Sequence, residues 1–394
     1  MIEVLYKNQK FDVPEGISLL QLQKIVAGDK DGVIGALVNN VPTELTRQLY
    51  QNKSVEFVTI ADQYGKSIYL NSLVLMLYKV LTDMRGGYTF IMEHAISNGY
   101  FIRIIDKHGI KVPIAKGLII KRKMMDMVAA DLPFKTYHQP TSEVIKIFEQ
   151  CGNLDGAELL KYVKTYYTTY YQLGDTVEFL HDGTVPSTSY LKVFDLTPYH
   201  DGFILRLPCG VGSTEVSPLV DMPKLYNTYK NNWTLEHKAR LTEIAHLNGV
   251  SADNLPVMIT ISEAIHEKNI VRIADKITAK PFVKVVLIAG PSSSGKTTFS
   301  KRLSVQLAAS GVKPTALSLD NYFVDREKNP IDENGELDFE SLYSLDLERL
   351  SSDLKRIING ERVETPIYDF ITGKRSTETI PICLGSNEVL VIEG

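Results

Sequence analysis

The chain has 394 residues, 44% hydrophobic and 23% charged, with a formal net charge of −4. That is too long for one ordinary domain, and the composition excludes a disordered or fibrous chain. The charge gives no global drive toward nucleic acid or anionic membrane. Cys151, Cys209 and Cys383 form no disulfide framework, which points to a reducing cytoplasm.

Met1–Lys7 carries no signal-peptide pattern, and the longest apolar stretch, Ser72–Tyr78, is too short to span a bilayer. Ile2–Tyr6 and Lys10–Val13 predict a strand pair turning at Lys7-Asn8-Gln9. Leu19, Leu20, Leu22 and Ile25 predict a short helix, and Ala36–Asn40 and Val55–Ile60 further strands. This order suits a ubiquitin-like β-grasp over residues 1–62. An α+β block is expected over 63–207, with a helix at Asn71–Thr82, a strand at Gly99–Ile105, helices at 141–151 and 155–171, and a strand at Tyr190–Asp195. Residues 208–232 are rich in Pro, Gly, Ser and Asn and suit a connection, with helices following at 234–248 and 260–279, so that 208–280 is assigned to linker and helices. There is no internal repeat.

Tyr162, Tyr166 and Tyr170, with Tyr167 and Tyr171, recur at helical spacing. Packing against a sheet explains such a stripe better than stacking on RNA bases. Lys116, Lys121, Arg122 and Lys123 form a small basic cluster, which suits a solvated edge better than a phosphate site.

Gly290-Pro291-Ser292-Ser293-Ser294-Gly295-Lys296-Thr297 has the spacing G-x-x-x-x-G-K-[ST] of a P-loop. The apolar run Val283–Ala289 precedes it as a strand, and Phe299, Leu303 and Leu307 follow at helical spacing. Backbone N–H groups of the loop, continuing to Thr298, and the helix dipole favour a polyphosphate. Lys296 reaches the terminal phosphates, and the Thr297 hydroxyl is placed to hold Mg²⁺. Thr315–Leu319 predicts a second buried strand, ending at Asp320. A carboxylate there faces the transferred phosphate, as a general base or an Mg²⁺ ligand. Val389–Ile392 predicts a third strand tipped by Glu393, a candidate Walker-B carboxylate for Mg²⁺.

With Ser318–Phe323, Leu337–Glu340, Pro366–Phe370 with Arg375, and Val391–Gly394, residues 281–394 resemble the uridine kinase and phosphoribulokinase group of P-loop kinases. The resemblance implies ATP- and Mg²⁺-dependent phosphorylation of a nucleoside 5′-hydroxyl, with Asp320 and Lys296 catalytic. It implies Thr297, Asp320 and Glu393 as Mg²⁺ ligands and Glu340, Tyr368 and Arg375 at the nucleoside. Two departures stand out: the family's base-reading histidine falls on Gly373, and its His-Pro-Asp on Ser341-Leu342-Tyr343. A lost base-reading group leaves the acceptor unassigned, and a sugar phosphate is one alternative. Members of the family continue with further strands and a lid, so the chain is expected to be a fragment with an incomplete P-loop sheet and poor turnover.

Residues 1–62 resemble a TGS domain. Residues 63–207 are similar to the second additional domain of threonyl-tRNA synthetases, and the two resemblances together rest on Val38-Asn39-Asn40, Gly65 before Asn71-Ser72, Gly99-Tyr100-Phe101, Val185–Thr188 and Lys192-Val193-Phe194. That family's four zinc positions hold Asn71, Leu75, Leu180 and Thr184 here, so no zinc site and no editing are expected, and the nearby His181 and His200 suit structural roles better. The likeness raises two further readings, an RNA-associated regulatory ATPase contacting tRNA through residues 1–207, and a GTPase, although no N-K-x-D segment is present. The expected fold class is multidomain α+β and α/β. The oligomeric state stays open.

Overall fold

The structure is a computed structural model and describes residues 1–28, 32–85, 87–239 and 244–394. Two compact units divide it, Met1–Val250 and Ser251–Gly394.

The first unit opens with β1 (Ile2–Tyr6) and β2 (Gln9–Val13), then β3 (Ile17–Ser18) and α1 (Leu19–Val26). Lys7 and Asn8 both have positive φ, the backbone of a two-residue hairpin turn. Ser18 caps α1 through a reciprocal box with Gln21. β4 (Val33–Val38), β5 (Val41–Thr43), β6 (Gln48–Leu49) and β7 (Lys53–Thr59) follow, and the sheet order is β2-β1-β7-β4-β5. β1 and β7 run parallel at its centre, and Leu19 and Leu22 of α1 join Val4, Ala36 and Val55 in one core.

Next come α2 (Gln63–Asp83), β8 (Thr89–Ile96), β9 (Gly99–Ile105), α3 (Ile114–Ala130), β10 (Lys135–Pro140), α4 (Thr141–Gln150) and α5 (Leu154–Tyr162). α2 begins eight residues before the predicted helix and buries Ile68, Leu73, Leu75, Met76, Leu77 and Leu81 completely. β11 (Tyr167–Leu173) and β12 (Thr176–Glu178) extend β10 into a three-stranded sheet. The predicted helix over 155–171 is therefore wrong beyond Tyr162. Its second half is rich in Thr and Tyr, which favour strands, and pairing with β10 decides the outcome. Tyr170 and Tyr171 are buried in different cores, while Tyr166 is 93% exposed.

β13 (Asp195–Tyr199) and β14 (Gly202–Arg206) complete a second sheet in the order β13-β14-β9-β8. The strand predicted at Tyr190–Asp195 thus starts only at Asp195, because Thr188–Tyr190 forms a 3-10 turn instead. α6 (Pro223–Ala239) and α7 (Ile244–Asn248) close the unit. α6 begins inside the stretch expected to be a connection, and the part of the predicted 234–248 helix at 240–243 lies outside the described residues.

A buried polar cluster sits on the β8–β9 sheet. Arg103 is 1% exposed, and its guanidinium donates to Glu93 at 2.5 Å and Asp201 at 2.8 Å. The Trp233 ring lies 4.4 Å from its charge, and His94 stacks on Tyr229 at 3.7 Å.

Burial pushes the Glu178 carboxyl up to about 7, against hydrogen bonds from the Phe179 N–H (2.9 Å) and Asn153 Nδ2 (3.2 Å). An acid with a raised folded pKa keeps a proton that the unfolded chain has released. Its contribution therefore falls as pH rises from the ordinary value of 4.5 to about 7. Glu178→Gln is expected to flatten the pH dependence of urea stability in that window. Equal slopes in the two proteins would contradict this.

The second unit holds α8 (Leu255–Thr278), β15 (Val285–Ile288), α9 (Lys296–Ala309), β16 (Lys313–Ser318), α10 (Leu347–Ile358), β17 (Val363–Asp369), β18 (Lys374–Ile382) and β19 (Glu388–Glu393). β19 lies between β15 and β16, and all three are parallel. Its side chains alternate between two cores. Val389 and Val391 face Ile270 and Ala274 of α8 and Leu303 and Leu307 of α9. Leu390 and Ile392 face Leu317, Tyr322, Ile357 and Val363. Covering on both faces is what makes the strand an uninterrupted apolar run. β17 and β18 form a separate antiparallel pair.

Candidate active site

Ile288 and Ser318 both stand in register with Glu393. The C-terminal ends of the three strands are therefore level, and the segments that leave them converge at one edge, where open α/β sheets bind ligands. Gly290–Gly295 leaves β15 as an exposed loop. Gly295 caps α9 with φ of +84°, and Ser293 has φ of +60°. These left-handed positions turn successive N–H groups inward, and the first N–H groups of α9 have no intrahelical partner, so the loop forms an anion cradle. Lys296 Nζ donates to the carbonyls of Gly290 (2.7 Å) and Pro291 (3.2 Å), which holds it along the loop.

The Thr297 hydroxyl donates to Glu393 Oε2 at 3.0 Å. Asp320 follows β16 in a short 3-10 turn, Leu319–Tyr322. It is reachable from solvent, yet partial desolvation raises its pKa above the ordinary aspartate value. The negative charge of Glu393 raises it further, and Lys296 opposes. Lys296, Thr297, Asp320 and Glu393 thus share one site, although 96 positions separate Thr297 from Glu393. Its oxygen donors are hard ligands suited to Mg²⁺, which is held by one or two carboxylates together with substrate phosphates. Among the described residues no group of three or more His, Cys, Asp or Glu could hold a metal alone.

The turn bearing Asp320 is braced from behind. The buried Tyr322 hydroxyl donates to Asp353 at 3.1 Å. Arg375 pairs with Asp346 at 2.8 Å and donates to the carbonyls of Phe323 (3.2 Å) and Tyr322 (3.4 Å). Its guanidinium is thereby engaged in positioning this turn. Tyr322 lies inside the Ser318–Phe323 motif but draws no role from it, and Asp346 and Asp353 lie in no motif, so the sequence does not mark this bracing. The Tyr368 N–H donates to Asn321 Oδ1 at 3.3 Å, and its ring packs on Phe323 (5.6 Å) and Phe370 (5.0 Å). Phe339 joins through Phe323 at 6.5 Å. Glu340 is exposed on the following loop, where its N–H donates to Asp338 Oδ1 at 3.0 Å.

In the first unit, Asn71 Nδ2 donates to the carbonyls of His181 and Gly183, the latter at 3.3 Å, while Leu75 and Thr184 are buried. No helix among the described residues is long and apolar enough to cross a membrane.

Residues 285–394 match the model of the Phosphoribulokinase / Uridine kinase family. The C-terminal part of this chain is a phosphoribulokinase/uridine kinase family domain. Among curated relatives, the uridine kinase of Leuconostoc citreum is 31% identical over 110 residues, 28% of this chain and 51% of that protein. The uridine kinase of Staphylococcus haemolyticus is 33% identical over the same shares. The chain spans about half the length of these uridine kinases. The threonine–tRNA ligase of Carboxydothermus hydrogenoformans is 23% identical over 199 residues, 50% of this chain and 31% of that protein, which is consistent with a synthetase-like front module. A solved structure described as a possible uridine kinase from Bacillus stearothermophilus is 27% identical over 32% of this chain and 70% of that one, with a TM-score of 0.28.

Proposed function

We propose that this chain transfers the γ-phosphoryl group of ATP to the 5′-hydroxyl of a nucleoside, with Asp320 as general base. The observation that carries the reading is the meeting of Lys296, Thr297, Asp320 and Glu393 at the level ends of three parallel strands. The uridine kinases similar to residues 285–394 support the choice of a nucleoside.

The loop N–H groups and Lys296 bind the ATP phosphates and fix the γ-phosphorus relative to the acceptor. Thr297, Glu393 and Asp320 are the residues that would hold Mg²⁺. Bound there, the ion supplies charge neutralisation at the phosphate oxygens. Asp320 accepts the proton of the acceptor hydroxyl as its oxygen bonds to the γ-phosphorus. The bond from that phosphorus to the bridging oxygen breaks, and ADP leaves. Partial desolvation and the neighbouring Glu393 charge raise its pKa, which makes Asp320 a stronger proton acceptor than an ordinary aspartate. Tyr368, Phe323 and Phe370 offer an apolar wall to a flat ring, and Glu340 a carboxylate on a neighbouring loop.

ADP release in the presence of Mg²⁺ is expected to depend on a nucleoside with a free 5′-hydroxyl and to stop with its 5′-deoxy analogue. ADP release at the same rate with both would refute the assignment.

A further inference from the structure

Gly373 lies between β17 and β18 with φ of +68°. A Cβ at this position would fall 2.8 Å from both Cζ and Nε of Arg326. The guanidinium therefore occupies the space that any side chain at 373 would need. It is held there from both ends. Arg326 Nη2 donates to the Phe370 carbonyl at 2.7 Å, and the Arg326 N–H donates to the Gly373 carbonyl at 2.9 Å. Phe370 is itself packed against Phe323 and Tyr368, so the guanidinium is anchored beside the aromatic cluster that flanks Asp320.

The charges around it are otherwise neutralised. Lys328 pairs with Asp325 at 3.3 Å, Lys374 with Glu327 at 3.5 Å, and Arg375 with Asp346 at 2.8 Å. Among the described residues, no carboxylate lies within ion-pair distance of Arg326. One of its five N–H donors is used by Phe370, and the group is exposed. A planar cation with donors to spare, fixed beside aromatic rings, is suited to a ligand edge that carries two adjacent acceptors or a negative charge.

The geometry points to Arg326 as a specificity-determining contact to the phosphate acceptor, selecting acceptors that present a paired-acceptor or anionic edge to the guanidinium. This rests on the kinase reading above. Two sources share that chemistry: a purine edge with O6 and N7, and a carboxylate on a pyrimidine ring.

The test measures phosphorylation by the full chain with ATP and Mg²⁺ of inosine, 7-deazainosine, orotidine and uridine, for the native protein, Arg326→Ala and Arg326→Lys. The expected result is a loss of about 10- to 100-fold in kcat/KM for the preferred paired-acceptor or anionic substrate in Arg326→Ala, carried mainly by KM. Uridine is expected to change by less than about threefold, and Arg326→Lys to restore only part of the loss. A preference for inosine over 7-deazainosine identifies the purine edge, and a preference for orotidine the carboxylate. Gly373→Ala places a methyl group where the guanidinium sits and is expected to shift the preference in the same direction. An unchanged acceptor ratio in Arg326→Ala, with the native protein active, would overturn the inference and leave the kinase reading intact. No phosphorylation of any acceptor by the native protein would overturn both.

Discussion

Asp320→Asn is expected to lose turnover by about 10²- to 10⁴-fold while ATP still binds, because the amide keeps the shape of the side chain and cannot accept the proton. That loss corresponds to roughly 3–5 kcal/mol of barrier. Nucleotide affinity is expected to survive, since the cradle is built from the Gly290–Gly295 loop, Lys296 and the start of α9. The native enzyme is expected to show an acid limb in kcat/KM above the ordinary aspartate value of 3.8, with activity rising as Asp320 loses its proton. Calorimetric titration with an ATP analogue, alongside steady-state rates, separates the two effects. Undiminished turnover in Asp320→Asn would remove the base assignment, and equal loss of ATP binding would recast Asp320 as a nucleotide ligand.

Arg103→Ala is expected to destabilise the first unit by about 3–5 kcal/mol, the usual cost of breaking a buried ion pair by removing one partner. The Glu93 side chain is only 5% exposed and would be left as a buried carboxylate without its partner. Asp201 would suffer less, because Lys111 and Tyr226 also reach it. Trp233 would lose the cation that lies over its ring. Urea unfolding with an unchanged slope and a lower midpoint is the expected readout. A cycle with Glu93→Gln is expected to give a non-additive result, since the two groups are in direct contact. A loss below about 1 kcal/mol would mean that water reaches the cluster and screens it.

Most of the P-loop geometry was legible in the sequence because it is local. Strand, Gly290–Thr297 loop and helix are contiguous, and each carries its own signal of apolar run, glycine spacing or helical period. Asp320 and Glu393 were legible as carboxylates at the ends of apolar strands. Their meeting with Thr297 depends on the insertion of β19 between β15 and β16, which no local pattern encodes. The tyrosines after Tyr162 misled because i,i+4 spacing also fits a strand with both faces buried. Tyr170 enters one core and Tyr171 another, so the alternation of a half-exposed strand is absent. The Arg103 cluster was invisible for a different reason. Its partner Asp201 lies 98 positions away on the β13–β14 turn, and only the sheet order brings them together. Arg326 over Gly373 is of the same kind: the glycine stands out in the sequence, and what fills its space does not.

The most direct test follows the γ-phosphoryl group itself. The full chain is incubated with γ-labelled ATP, Mg²⁺ and a panel of nucleosides, and the labelled products are identified by mass spectrometry. The expected result is label on the 5′-oxygen of a nucleoside, with formation suppressed in Asp320→Asn. Label appearing only in inorganic phosphate, at a rate indifferent to every acceptor, would contradict phosphoryl transfer to a nucleoside hydroxyl and describe an ATPase instead.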